Sequence, residues 1–179
     1  MQTLKRLRSP KPLILTELKS SGRVLEILRE TLDGLDGEVR RHILGLALFG
    51  SLARGEGNPR SDIDLFILTR GLSRGVERRR ILYKALYPAV AKSRRDLTIV
   101  DVGVEELKSL RPSSLLLNIA YDAVIIHDPE GILRRLFKAI KETLRRYGII
   151  RYRLPDGSYA FKPRDGGKMP RMVIQDWIR

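Results

Sequence analysis

Two periodicities of apolar and polar positions run along this chain, and the switches between them mark its elements. Over residues 13–32, Leu18, Val24, Leu25, Leu28 and Leu32 recur near helical spacing, so a helix is expected there, with Gly22 as a weak point. Asp33-Gly34-Leu35-Asp36-Gly37 stops it. Ile43–Phe49 is a short, unbroken apolar run and reads as a buried strand. Residues 62–69 alternate instead. Ile63, Leu65 and Ile67 fall on one strand face, and Asp62, Asp64 and Phe66 on the other. After a glycine-bounded turn at 71–75, residues 76–92 predict a helix with Ile81, Leu82, Ala85 and Leu86 inward and Pro88 as a candidate kink. Residues 95–101 predict a third strand, with Asp96, Thr98 and Val100 on one face and Leu97, Ile99 and Asp101 on the other.

The second half reads less regularly. Helical segments are expected at 104–110 and 113–122, separated at Pro112, followed by a short strand at Val124–His127. Residues 132–147 predict an amphipathic helix that turns Leu133, Leu136, Phe137, Ile140 and Leu144 inward. A small hairpin is expected from 149–154 and 158–161 around Pro155-Asp156-Gly157. The domain reading is therefore a basic arm (1–12), a core (13–101), a helical and extended C-terminal region (102–161) and a flexible basic tail (162–179).

Composition narrows the class. At 179 residues and 42% apolar, the chain can bury a real core. It has no run of eighteen apolar residues, so no membrane span is expected. The N-terminal twelve residues lack the apolar stretch of a secretory signal, and a cytoplasmic protein is the expectation. With no cysteine, disulfide and thiolate chemistry are excluded. Lys and Arg total 35 against 21 Asp and Glu, a net charge of +14, which favours polyanions and makes nucleic acid a candidate partner. Few aromatics lie between the basic clusters to stack on bases.

The candidate chemistry lies in LFGSLARGEGNPRSDIDLFIL, from Leu48 to Leu68. Asp62 and Asp64 share a strand face, with Cα atoms roughly 6.5–7 Å apart, close enough to reach one divalent ion or a pair. Two such carboxylates repel each other unless a cation is present. Upstream, Gly50-Ser51 stands where a strand turns into a helix, a place suited to phosphate. Gly55-Glu56-Gly57 reads as a flexible loop. His42 and His127 have no metal-ligand spacing, and there is neither a P-loop nor a Ser/His/Asp arrangement to argue from.

Gly50-Ser51, ten intervening residues, then Asp62-Ile63-Asp64-Leu65 resembles the signature of the DNA polymerase-β nucleotidyltransferase superfamily, in its minimal prokaryotic form. Arg54 and Gly55 resemble its G-S-x-A-R-G variant. The resemblance implies an α/β (α+β) fold: a small mixed sheet with helices packed on one face, and a C-terminal helical extension. It implies Mg²⁺- or Mn²⁺-dependent transfer of a nucleotide, AMP from ATP as the leading case among NTPs, with release of pyrophosphate. Asp62 and Asp64 would hold the ions, and Gly50 and Ser51 the β- and γ-phosphates. Arg54 would neutralise phosphate charge or brace the aspartates. A third carboxylate from a neighbouring strand is implied, to complete the site of the ion that activates the acceptor; Asp96, which opens its strand as Asp62 does, is preferred to Asp101 as that metal ligand. The resemblance also implies, as an alternative role, an antitoxin that binds and AMPylates a HEPN-type helical toxin. An RNA-binding or RNA-end-modifying protein is the reading that the charge adds.

Overall fold

The computed structural model describes residues 15–109 and 112–170. The expected basic arm, 1–12, and residues 171–179 of the expected tail lie outside them. The chain opens with α1 (Leu15–Asp33) and a single turn, α2 (Gly37–Arg40), capped by the Asp36 carboxylate on the Glu38 N–H. Next come β1 (Ile43–Phe49), α3 (Gly50–Ala53), β2 (Ile63–Thr69), α4 (Val76–Ser93) and β3 (Leu97–Gly103). A 3-10 turn at Val104–Ser109 leads to α5 (Ser114–Asp122), β4 (Val124–His127) and α6 (Ile132–Arg146). The described chain then closes with the hairpin β5 (Ile149–Arg153) and β6 (Tyr159–Pro163).

One mixed sheet organises these elements, in the order β3-β2-β1-β4. β1 is antiparallel to both β2 and β4, whereas β2 and β3 run parallel across the α4 crossover. β4, from the segment after 101, thus completes the sheet beside β1. Apolar side chains cover both faces. On one face Leu46, Leu48, Leu65 and Ile67 pack with Leu28, Leu82 and Leu86 of α1 and α4. On the other, Ala47, Phe66 and Leu68 pack with Leu117 of α5 and Leu133, Phe137 and Ile140 of α6. The mixed sheet and the C-terminal helical extension are as expected, but helices occupy both faces rather than one.

Local sequence explains how α6 comes so close. A Cβ at Gly45 would stand 2.6 Å from the Leu133 side chain, so glycine there lets the helix seat on the strand. Phe66 and Phe137 meet at 5.9 Å between ring centroids, a tilted pair worth about 0.5–1.5 kcal/mol beyond its buried area. α4 continues through Pro88 and stops at Arg94, which takes a left-handed conformation (φ 55°). No described helix is long and apolar enough to cross a membrane.

Arg78 fastens α4 to the far end of β3. Its side chain is 3% exposed and donates to Asp101 (2.6 Å), Glu106 (3.1 Å) and the Leu72 carbonyl. Burial alone would lower its pKa; the hydrogen bonds it donates to Glu106 and Asp101 overcome that and hold it above the ordinary value. Asp101 is therefore a structural partner on the α4 face.

Candidate active site

β1 delivers the chain to Gly50, and β2 returns it alongside, with Phe49 opposite Asp64. Gly50 has φ +72°, a conformation that side chains strain to adopt. A Cβ there would lie 2.0 Å from Asp64 Oδ2 and 2.9 Å from its Cγ. Glycine is required twice over, by the turn and by the carboxylate that rests against it. Ser51 follows in the first turn of α3, half-buried, its carbonyl accepting the Glu56 N–H at 2.9 Å.

The loop before β2 is built from short polar contacts. The Asn58 side chain accepts the Arg60 N–H, and the Ser61 hydroxyl accepts the Asn58 N–H. Arg95, just before β3, donates to the carbonyls of Asn58 and Ser61 at 2.7 Å each. That clamp sets where Asp62 enters β2. The Ile63 N–H then bonds the Asp96 carbonyl at 2.8 Å.

Because β2 and β3 are parallel with Ile63 beside Leu97, Asp96 is level with Asp62, and Asp64 is level with Thr98. Parity places Asp62, Asp64 and Asp96 on one face of the sheet, at its open end beyond Phe66. Asp101 points the other way, to Arg78. The expected faces of both strands are reproduced. Close convergence of three acids is not: among the described residues, no three His, Cys, Asp or Glu side chains form a ready cluster for a metal ion. The site is a coupled pair, Asp62 and Asp64, with an exposed neighbour in Asp96.

Asp64 is electrostatically uncomfortable. Burial, and then the charge on Asp62, push its pKa up to about 6, with Arg54 pulling the other way. Among the described residues, no hydrogen bond or ion pair reaches the side chains of Asp62, Asp64 or Asp96, in contrast to Asp101. A half-buried, unpartnered carboxylate beside a second one is a place that gains from a cation. Its donors are hard oxygens, the set suited to Mg²⁺ or Mn²⁺. The residues present fit such an ion.

Arg54 braces neither aspartate directly. It caps α3, donates through Nε to Glu56 (2.7 Å) and through Nη1 to Asp122 (3.3 Å), and lies 5.3 Å over the Tyr159 ring. Burial would lower its pKa, but Glu56 and Asp122 more than offset this and raise it. It acts on Asp64 through its field. Asp122 is also gripped bidentately by Arg151 of β5 (Nη1–Oδ1 2.6 Å), which stacks 3.8 Å from the Tyr159 centroid. Arg151 Nε reaches Asn118 Oδ1, and Asn118 returns a hydrogen bond to the Tyr159 carbonyl. The hairpin is thus fastened to α5 and, through Arg54, to the Gly50-Ser51 turn. Sequence reading missed Glu56, Asp122, Arg151 and Tyr159; the partners of Asp122 lie 29 and 68 positions away. The only local signal was the period-two placement of Arg151 and Arg153 on one strand. The Gly55–Gly57 loop, expected to be flexible, is packed: both glycines are buried, and Glu56 holds Arg54.

The chain belongs to the nucleotidyltransferase domain family, whose model matches residues 25–150. No curated protein matches it significantly. Among solved structures, it is similar to a candidate nucleotidyltransferase from Sulfolobus solfataricus (18% identity, 68% of this chain and 95% of that one, TM-score 0.42). It is also similar to a toxin–antitoxin structure with AMP-PNP (16%, 70% and 87%, TM-score 0.44). A third likeness is to a tri-AMPylated Shewanella oneidensis HEPN toxin in complex with MNT antitoxin (13%, 73% and 90%, TM-score 0.37).

Proposed function

We propose that this protein transfers a nucleoside monophosphate, AMP from ATP in the leading case, to an acceptor nucleophile and releases pyrophosphate. The observation that carries the reading is the Asp62–Asp64 pair, without an ion pair among the described residues, with the Asp64 carboxylate seated where a Cβ of Gly50 would be. Asp62 and Asp64 would hold Mg²⁺ or Mn²⁺, which supplies Lewis-acid charge neutralisation at the triphosphate when bound. Gly50 leaves room for the Asp64 carboxylate at the turn, and the Gly50 backbone and Ser51 hydroxyl would hold the triphosphate oxygens. Arg54, held by Glu56 and Asp122, fixes the end of α3 and adds positive potential over the site. Asp96, exposed and level with Asp62, takes the acceptor side. There it accepts the proton as the acceptor oxygen bonds the α-phosphorus and the bond to pyrophosphate breaks.

Pyrophosphate release with Mg²⁺ and ATP tests this directly. The acceptor panel includes a HEPN-type helical ribonuclease, the class implied by the resemblance, and RNA ends. Wild-type turnover that Asp96→Asn removes and Asp101→Asn retains is expected in folded protein. No turnover with any acceptor or NTP, or full activity in Asp96→Asn with none in folded Asp101→Asn, would refute the assignment.

A further inference from the structure

α6 carries six basic residues and one acidic residue in fifteen positions. Arg134, Lys138, Lys141 and Arg145, at i, i+4, i+7 and i+11, form one exposed stripe within about 60° of arc and about 16 Å long. Glu142 approaches Lys138 at only 3.9 Å. The stripe ends in a cleft of about 600 Å³ between α6, Tyr121 of α5 and the start of β5. Lys141, Arg145 and Arg164 line it, and none has an ion-pair partner among the described residues. Tyr121 is half exposed in its wall, with Lys141 5.9 Å from its ring centroid. The fourth cation of the cleft, Arg151, is the one that grips Asp122.

We propose that this stripe and cleft bind single-stranded nucleic acid, with phosphates along α6 and a base against Tyr121. Cations at regular spacing, met by one acid among the described residues, are the complement of a phosphodiester chain, and an exposed tyrosine beside them offers a stacking face. The buried apolar residues of α6 face the core, so around Tyr121 the stripe offers a protein partner charge and no apolar centre. For the same reason it has nothing to insert into a lipid surface. The Arg151–Asp122–Arg54 chain of ion pairs ties the wall of the cleft to the end of α3.

The test is fluorescence anisotropy of the full chain with a labelled 20-nucleotide single-stranded RNA, titrated across salt without nucleotide. At 0.1 M salt, Lys141→Gln/Arg145→Gln/Arg164→Gln is expected to weaken binding at least tenfold. The slope of log K against log[salt] should fall by about 2, at roughly 0.7 per lost phosphate contact. Arg29→Gln/Arg80→Gln/Lys84→Gln removes equal charge elsewhere and should stay within twofold. Asp62→Asn/Asp64→Asn, which disables the proposed transfer, should bind at least as well as wild type; the two readings therefore fail separately. Equal weakening by both triple variants would reduce the effect to diffuse charge and overturn the site. So would no binding by wild type at 0.15 M salt, or equal competition by poly-glutamate, which would point to an acidic protein.

Discussion

Asp101 and Asp64 sit on neighbouring parallel strands, yet the fold treats them oppositely. The Asp101 side chain is 3% exposed and held by Arg78 at 2.6 Å and Arg79 at 3.2 Å. Asp64 is half-buried, meets no cation directly and faces a second carboxylate. One strand residue's difference in parity separates the two situations. On the α4 face Asp101 meets two arginines of that helix, while on the opposite face, at the open end of the sheet, Asp64 pairs with none among the described residues. The contrast separates two kinds of acidic residue: Asp101 holds α4 to β3, whereas Asp64 has no ion pair among the described residues.

The strongest way to break that contrast is to remove each charge in turn. Asp62→Asn/Asp64→Asn should lower pyrophosphate release at least 10⁴-fold, equivalent to about 5.5 kcal/mol of transition-state stabilisation, while leaving the urea midpoint unchanged or raised. A loss of stability instead would class the pair with Asp101. Arg78→Met should do the reverse. It takes the closest cation from the buried Asp101, leaving it the exposed Arg79, and removes the Arg78 contact of Glu106, and should cost about 3–5 kcal/mol in urea unfolding. If Arg78→Met unfolds with an unchanged midpoint, the network is not what fastens α4 to β3.

Much of this contrast could be read before any coordinates. A period of two is rigid, so placing Asp62, Asp64 and Asp96 on one face and Asp101 on the other needed only the correct strands. The inward residues of α6 followed from its 3.6-residue period in the same way. Facts depending on distant partners were not legible. Nothing near Asp122 announces Arg151 or Arg54, and nothing near Arg78 announces Glu106. The β5–β6 hairpin was visible at its turn, but its second strand extends to Pro163, inside what composition suggested was tail. Burial of the Gly55–Gly57 loop was hidden for a related reason: Gly57 is small because Leu52 lies where its Cβ would be, 2.5 Å away.

Gly50→Ala sharpens the comparison at the level of space rather than charge. The left-handed φ costs a non-glycine residue about 1 kcal/mol, and the added Cβ must displace the Asp64 carboxylate from its place 2.0 Å away. A total destabilisation of about 2–3 kcal/mol and a loss of activity near 10²-fold are expected. In Asp64→Ala protein the carboxylate is gone and only the residue 64 Cβ remains, 3.2 Å from the added Cβ, so Gly50→Ala should then cost little beyond the backbone portion. Additive costs in that double-mutant cycle would show that glycine and carboxylate are not in contact.

The smallest effect is the most specific to Asp64. Its ordinary pKa of 3.8 rises to about 6 in the folded chain, because burial and then Asp62 disfavour the anion. Between those values the folded state holds more proton than the unfolded one, so stability falls as pH rises from about 4 through 6. A two-unit shift corresponds to roughly 3 kcal/mol, but partial exposure screens it, and about 1 kcal/mol is expected. Urea unfolding in EDTA at pH 4.5 and 6.5 should show that decline in wild type and a flatter profile in Asp64→Asn. Mn²⁺ at ten times its dissociation constant should return about 1.4 kcal/mol at pH 6.5 to wild type and none to the variant. A decline that persists unchanged in Asp64→Asn, or equal stabilisation of both proteins by the ion, would place the uncompensated charge somewhere other than beside Gly50.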